Sequence, residues 1–206
     1  VYKRQEHTND ISEDETEKLL SNFYSYVDNE KPSLIILEDY NKGVLTEKVI
    51  SSVIAYCNSK GIPTSVDPKQ KNFLAYKGCT IFKPNLKEIK EGLKIELPVV
   101  DEASLSKAHA TLHAHLQHGI SFITLSEHGV YYGNSTAHKL IPTHIRNIAD
   151  VSGAGDTVIA VASLTYASTQ NMELAAELAN IAGGLVCELV GTAPINKEPV
   201  SYTHLR

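Results

Sequence analysis

The chain has 206 residues, of which 42% are hydrophobic and 21% charged, as in ordinary globular proteins. This composition excludes the disordered, collagen-like and coiled-coil classes. Lysine and arginine number 19 against 24 aspartate and glutamate residues, which gives a net charge of −5. Because no block of five or more like charges occurs, we expect a small molecule as the partner, and neither a nucleic acid nor a membrane.

The cysteines and the apolar stretches indicate the compartment. Cys57, Cys79 and Cys187 lie far apart without a Cys-x-x-Cys spacing, which argues against a zinc site or a disulfide framework. The longest apolar stretch, residues 158–167, is about half of the roughly 20 residues that cross a bilayer. We therefore expect a cytoplasmic protein. Because Met172 is the only methionine, we expect the chain to be processed or a piece of a longer protein.

The first part of the chain alternates between amphipathic helical patterns and short apolar runs, which is typical of βαβ units. A capping-box spacing that begins at Ser12 predicts a helix over about 13–30. Thr46 opens a second helix, which Gly61 ends. Continuous apolar runs predict buried strands over residues 33–37, 62–67 and 79–82.

After residue 83 the alternation continues, and the predicted elements end with two helices. Pro84 and Asn85 introduce a brief helix that ends near Gly92. Two short runs on either side of Gly133 and Asn134 predict a hairpin at the edge of the sheet. The remaining predicted elements are a helix over 101–117, a buried strand over 120–125, hairpin strands over 130–132 and 139–141, and helices over about 155–168 and 172–190.

Right-handed crossovers between parallel strands are the expected connection for this pattern. We therefore predict a doubly wound α/β fold, with a mostly parallel sheet and helices on both faces, in one domain that covers residues 1–206. Ligands of such a sheet bind beyond the carboxyl ends of its strands, so the polar residues after each strand are the candidates for a site. They form four loops that would open on one side, residues 38–43, 67–69, 83–88 and 126–129.

The most distinctive segment is residues 150–157 (DVSGAGDT), which precedes a long apolar helix. Gly153 and Gly155 permit close backbone approach, and the free N–H groups of a helix start attract an anion such as phosphate. Asp156 in the first turn could then accept a proton from an attacking hydroxyl. The spacing fits neither a Rossmann nor a Walker motif, and a plain glycine turn before a helix would look the same.

Several segments together resemble a known family. Residues 150–157 resemble the signature of the ribokinase-like sugar kinases, the PfkB-type kinases. More narrowly, residues 38–45, 66–69 and 83–88 are similar to the kinase domain of the heptose-7-phosphate kinase/ADP-heptose synthase proteins of lipopolysaccharide biosynthesis, and the resemblance covers about 10–198. It implies an ATP- and Mg²⁺-dependent kinase that phosphorylates the anomeric hydroxyl of D-glycero-D-manno-heptose 7-phosphate. The alternatives are another PfkB-type carbohydrate or nucleoside kinase and an inactive nucleotide-binding fragment.

The resemblance also implies a role for each matched position. Asp156 would be the catalytic base, and Gly153, Ala154 and Gly155 would form the anion hole for the transferring phosphoryl group. The other implied positions are Asn85 and Glu88 for Mg²⁺, through water, and the ATP phosphates; Ser126, Glu127 and Gly129 along the nucleotide; Asn180 and Gly183 beside the adenine; and Asp39, Lys42, Asp67 and Lys69 where the sugar phosphate meets the ATP phosphates.

Several of these residues also have a purely structural interpretation. Asn85 and Glu88 have the spacing of a capping box, which is compatible with facing a ligand. Asp67 could shape the turn before a proline, Lys42 could be solvated, and Asn180 could bond to a neighbouring helix. The sequence alone does not decide between the structural and the ligand-binding role of these residues.

The beginning of the chain does not fit the family. Residues 1–30 do not resemble the family's amino-terminal part, so we expect an N-terminally truncated kinase domain that binds ATP weakly and has little activity alone. An exposed sheet edge would favour aggregation or a homodimer. Residues 1–5 and 201–206 fit poorly and are interpreted as non-native.

Overall fold

A six-stranded sheet with helices on both faces makes up the part of the chain that the computed structural model describes, residues 8–143, 148–192 and 194. The interpretation of residues 1–5 and 201–206 lies outside the described residues. Strands β1 to β4 are parallel, and β5 and β6 add an antiparallel hairpin at one edge, as predicted. The strands lie side by side in chain order: β1 (Ile35–Glu38), β2 (Thr64–Asp67), β3 (Ile81–Phe82), β4 (Ile120–Thr124), β5 (Val130–Gly133) and β6 (His138–Ile141).

The helices begin and end close to the predicted positions because local capping chemistry sets their ends. The Ser12 hydroxyl and the Glu15 carboxylate form the expected capping box. The Thr46 hydroxyl accepts from the amide of Val49, and Gly61 ends its helix with a φ of 68°. The helices are α1 (Glu13–Glu30), α2 (Glu47–Lys60), α3 (Leu86–Leu93), α4 (Glu102–Leu116), α5 (Ala154–Thr169) and α6 (Met172–Cys187).

Two hydrophobic clusters lie on opposite faces of the sheet. Helices α1 to α4 pack on the face that carries Leu37, Val66 and Phe82. Because parallel strands in chain order are joined by crossovers of one hand, their helices collect on one face. Helices α5 and α6 then cover the other face, where Ile81 and Ile120 lie.

The close packing of α5 against α6 depends on a glycine. A Cβ atom at Gly183 would lie 2.6 Å from the Cγ2 atom of Val158, which is closer than real side chains approach. The helix pair therefore brings the first part of α5 and the last part of α6 together over β4 and β5.

The edges and ends of the sheet decide where ligands can approach. Among the described strands β1 is an edge strand, with Ile36 38% exposed, and the homodimer expected from such an edge remains a prediction. Glu38 and Asp67 are direct neighbours at the carboxyl ends of β1 and β2. In the part of the chain that the structure describes, no helix is long and apolar enough to span a membrane.

Candidate active site

The glycine-containing bend begins helix α5 without a side-chain cap. Gly153 is the N-cap residue and has a φ of 77°, a conformation that glycine adopts without strain. Asp150 holds the bend, because its carboxylate accepts from the amide and hydroxyl of Ser152 and from the amide of Gly191. The amide of Ala154 donates to the carbonyl oxygen of Val151 at 3.3 Å. The amides of Gly155 and Asp156 lack acceptors within the helix, so the bend offers two donors to an anion.

Asp156 lies in the first turn of α5, and its side chain is exposed. The hydroxyl of Tyr40, from the loop after β1, donates to Asp156 Oδ1 at 2.9 Å. That hydrogen bond, with burial and the charges of nearby carboxylates, raises the pKa of Tyr40 to about 12. The carboxylate therefore faces the end of β1, outside the hydrophobic core.

Asp39 and Lys42 lie on the same loop as Tyr40 but in different surroundings. Asp39 is buried, and its carboxylate accepts from the hydroxyl of Tyr76 at 2.7 Å and from the amide of Asn41 at 2.7 Å. These bonds direct the Asp39 carboxylate into the protein, where it anchors the loop, while its amide donates to the carbonyl oxygen of Asp67 at 3.0 Å. The substrate contact predicted for Asp39 stays a prediction. Lys42 is exposed.

A network of charges, of which Lys69 alone among the four described here is partly exposed, connects the ends of β2 and β3 to helix α3. Lys83 is only 3% exposed, and its Nζ lies 3.1 Å from Asp67 Oδ2. Lys69 Nζ lies 3.5 Å from Asp67 Oδ1 and 2.9 Å from Glu88 Oε1. Burial lowers the pKa of Lys69, but the hydrogen bond to Glu88 and the charge of Asp67 outweigh burial and raise it overall.

This network reaches the glycine bend through Lys83. A Cβ atom placed on Gly155 would lie 3.9 Å from Lys83 Nζ, so a buried ammonium group lies beside the start of α5. Burial raises the pKa of Glu38, and the negative charges of Asp156 and Asp67 raise it further. Carboxylates and ammonium groups at the ends of three strands and on helices α3 and α5 therefore act on one another in a single small region.

Asn85 and Glu88 form the capping box that their spacing allowed. Asn85 Oδ1 accepts from the amide of Glu88, and Glu88 Oε2 accepts from the amide of Asn85. Glu88 also reaches Lys69, so both of its carboxylate oxygens have donors. Among the described residues, no group of three or more histidine, cysteine, aspartate and glutamate side chains is placed to hold a metal ion directly.

A pocket of about 1030 Å³ opens between helix α3, the turn after β4 and the helices α5 and α6. Its apolar lining includes Leu125, Val130, Ile148 and Val158. Its size is that of a site for a small molecule or cofactor. Eight residues predicted from the sequence to bind the nucleotide or its phosphates line it: Asn85, Ser126, Glu127, Gly129, Ala154, Gly155, Asn180 and Gly183.

Backbone constraints shape two walls of this pocket. Gly129 has a φ of 92°, and a Cβ atom there would lie 2.1 Å from the carbonyl oxygen of Ile141. The turn that it closes begins at Ser126 with a φ of 54°. The Asn180 side chain donates to the carbonyl oxygen of Pro142 at 2.9 Å. This bond goes to the segment after β6 and not to a helix, so Asn180 holds that segment at the pocket.

Comparison with known sequences decides the family. The profile of the pfkB family carbohydrate kinases matches residues 6–199. The chain belongs to this family. It is 41% identical to the bifunctional protein HldE of Syntrophotalea carbinolica over 167 residues, which cover 80% of the chain and 34% of that protein. It is 38% identical to HldE of Aliarcobacter butzleri over 188 residues, or 91% of the chain and 38% of that protein. The chain thus spans about a third of the length of these relatives.

Solved structures show that this pfkB family chain has the ribokinase-like fold. Phosphofructokinase-2 from Escherichia coli, in complex with potassium, superposes with a TM-score of 0.82 at 19% identity, over 95% of the chain and 63% of that structure. Arabidopsis thaliana ribokinase, complexed with ribose and ATP, gives a TM-score of 0.73 at 16% identity, over 94% of the chain and 59% of that structure. The predicted α/β class and the resemblance stated from the motifs are both confirmed.

Three residues of this pfkB chain lie at the candidate site although no role was predicted for them. They are Glu38, Tyr40 and Lys83, and all of them occur in the loops selected for lying after strands. The strand alternation places Glu38 and Tyr40 on one face and Asp39 on the other. That signal was present in the sequence, but it could not show which face would meet α5.

Proposed function

We propose that this chain forms the nucleotide-binding and catalytic part of an ATP-dependent sugar kinase. One observation carries the proposal: the Asp156 carboxylate, the glycine bend with Lys83 beside it, and a large pocket meet at the carboxyl end of the sheet. We propose D-glycero-D-manno-heptose 7-phosphate as the acceptor and its anomeric hydroxyl as the nucleophile. The loop motifs at 38–45, 66–69 and 83–88 support this choice, as does about 40% identity to proteins named HldE.

The pocket would hold the nucleoside part of ATP, with the triphosphate extending towards the glycine bend. Leu125, Ile148 and Val158 provide apolar surface for a base, and Asn180 lies at the same wall. The free N–H groups at the start of α5 would then face the γ-phosphate. Lys83 would add a positive charge from inside the protein, where low dielectric strengthens its effect.

Asp156 would accept the proton of the acceptor hydroxyl while the phosphoryl group moves. The acceptor oxygen forms a bond to the γ-phosphorus, and the bond between that phosphorus and the β–γ bridging oxygen breaks. The bridging electron pair leaves with ADP, and the hydroxyl proton remains on the Asp156 carboxylate. The glycine bend contributes donors to the phosphoryl oxygens throughout this step.

The side-chain oxygens of Asn85 and Glu88 fit a Mg²⁺ ion that is held through its water ligands. Mg²⁺ prefers oxygen ligands and usually keeps several of its waters. The Glu88 oxygens already bind Lys69 and the Asn85 amide, so the protein oxygens at Asn85 and Glu88 would contact the ion's waters. When bound with ATP, the ion neutralises charge on the β- and γ-phosphates.

The natural full-length protein tests this proposal. ATP turnover would be measured with heptose 7-phosphate, fructose 6-phosphate and ribose, for the wild type and Asp156→Asn. Removing the base should lower kcat by roughly 10²–10⁴-fold. Asp14→Asn is the matched control, because Asp14 is exposed in the first turn of α1 and should leave turnover unchanged.

The acceptor panel separates the possible outcomes. Preferred turnover of heptose 7-phosphate supports the full proposal, whereas preference for another sugar keeps the kinase and changes the acceptor. ATP binding without stimulation by any sugar would favour a nucleotide-binding module. Full activity of Asp156→Asn would show that Asp156 is not the catalytic base.

A further inference from the structure

We propose that Tyr40 is a positioning residue, which holds one oxygen of the Asp156 carboxylate so that the other oxygen faces the acceptor; this inference rests on the proposed kinase function. The phenol donates to Oδ1 at 2.9 Å, across 116 positions of sequence. A carboxylate can accept several hydrogen bonds, so this one leaves Oδ2 for the acceptor hydroxyl. An exposed side chain at a helix start would otherwise sample several rotamers.

The loop that carries Tyr40 is held in place from inside the protein. The buried Asp39 carboxylate binds the Tyr76 hydroxyl and the Asn41 amide directly beside Tyr40. Two residues further on, the carbonyl oxygen of Gly43 accepts from the amide of Ile11 at 3.0 Å. The position of the phenol therefore follows from a buried network, which gives Asp39 an indirect role in the site.

Gly43 shows how closely this loop is packed. Its φ is 84°, and a Cβ atom there would lie 1.9 Å from the carbonyl oxygen of Asn9. Such an approach leaves the backbone of the loop little freedom to shift without breaking contacts. The Asn72 side chain adds a further tie by donating to the carbonyl oxygen of Leu45 at 2.7 Å.

The charges around Asp156 explain why a neutral donor suits this position. The carboxylates of Glu38 on β1 and Asp67 on β2 act on Tyr40, and the charges of Lys83 and Lys69 act on Glu38. An ammonium group bound to the Asp156 carboxylate would lower its pKa and weaken it as a base, whereas a phenol fixes the carboxylate without adding a charge. The raised pKa of Tyr40, about 12, keeps the phenol protonated and donating throughout the physiological pH range.

Tyr40→Phe in the natural full-length protein tests the inference, because it removes only the hydroxyl. Loss of a hydrogen bond to a charged group should lower kcat roughly 10- to 100-fold. The KM for ATP should stay within about twofold, since Tyr40 is not among the residues that line the pocket. Tyr26→Phe is the matched control: Tyr26 is 56% exposed on α1, against 54% for Tyr40.

A double-mutant cycle shows whether Tyr40 acts through Asp156. If it does, Tyr40→Phe should lower the residual activity of Asp156→Asn by less than about twofold. The inference would be overturned if the losses of kcat in the two single variants multiplied in the double variant. It would also be overturned if Tyr40→Phe had the same kcat as an active wild type. If Tyr40→Phe hydrolysed ATP faster than the wild type in the absence of acceptor, the inference would also be wrong, because the phenol would then inhibit Asp156 and not orient it. A wild type without phosphoryl transfer would instead refute the proposed function itself.

Discussion

Replacing Lys83 by methionine should destabilise the protein strongly, because it leaves a buried carboxylate with one cation instead of two. Methionine keeps most of the volume of the lysine stem and removes only the ammonium group. Lys83 Nζ lies 3.1 Å from Asp67 Oδ2, and Lys83 is 3% exposed. The remaining cation, Lys69, lies 3.5 Å from the other oxygen with its side chain 34% exposed.

The expected size of the loss follows from these distances. With an effective dielectric constant of about 20, the attraction between Lys83 and Asp67 at 3.1 Å is roughly 5 kcal/mol. Part of this is offset by the cost of burying the ammonium group, and removing one partner of a buried pair typically costs about 3–5 kcal/mol. Because Lys69 still screens the carboxylate, we expect a loss of about 3 kcal/mol, or a fall in Tm of about 6–12 °C.

Urea and thermal unfolding followed by circular dichroism at pH 7 measure this loss. Lys87→Met is the matched control, since the Lys87 side chain is 81% exposed and should change the free energy of unfolding by less than about 0.5 kcal/mol. Asp67→Asn added to Lys83→Met should restore at least half of the lost stability, because the buried negative charge that lost one of its two cations is then removed. A double variant as unstable as the sum of the single variants would refute the reasoning.

Three other predictions concern the pocket, the histidines and the glycines. Cys187 lines the pocket and the other two cysteines are buried, so ATP at about ten times its Kd should slow maleimide labelling of Cys187 about tenfold, as measured by mass spectrometry; labelling indifferent to ATP would place the nucleotide elsewhere. Burial, with two neighbouring histidines, lowers the pKa of His118 to about 3, so the folded state binds fewer protons than the unfolded state below pH 6.5. As the pH is lowered from about 6 to 4, the free energy of unfolding should therefore fall by up to about 1.4 kcal/mol per pH unit. His118→Gln should reduce this pH dependence, as measured by urea unfolding at each pH. Gly183→Ala should cost about 1–3 kcal/mol of stability through its clash with Val158, whereas Gly155→Ala should leave Tm nearly unchanged and weaken ATP binding measured by calorimetry.

Most elements of the fold could be predicted because their signals are local. The capping box at Ser12, the cap at Thr46 and the left-handed Gly61 all act within one turn of their own helix. The parallel strands appear in the sequence as short apolar runs because both of their faces are buried. The pocket residues could be collected because parallel strands end at one edge, which topology alone requires.

The assignments within the loop after β1 show where sequence reasoning ended. Glu38, Asp39 and Tyr40 are all polar or amphipathic, and alternation says only that the middle residue points opposite to the other two. Which side faces solvent, core or ligand depends on what packs on each face of β1. In the structure Asp39 binds the Tyr76 hydroxyl, and the Tyr40 hydroxyl binds Asp156, the proposed base. The substrate contact predicted for Asp39 stays a prediction, and Tyr40 had no predicted role.

Helix ends, strand positions and the candidate loops were thus readable from the chain, since each depends on neighbours a few residues away. The contacts of Tyr40 with Asp156, of Lys83 with the glycine bend, and of Asn180 with Pro142 were not. They join segments that are 38 or more positions apart in the chain. Such contacts form only when helices α5 and α6 close over the sheet, because side-chain direction across an interface is set by packing and not by periodicity.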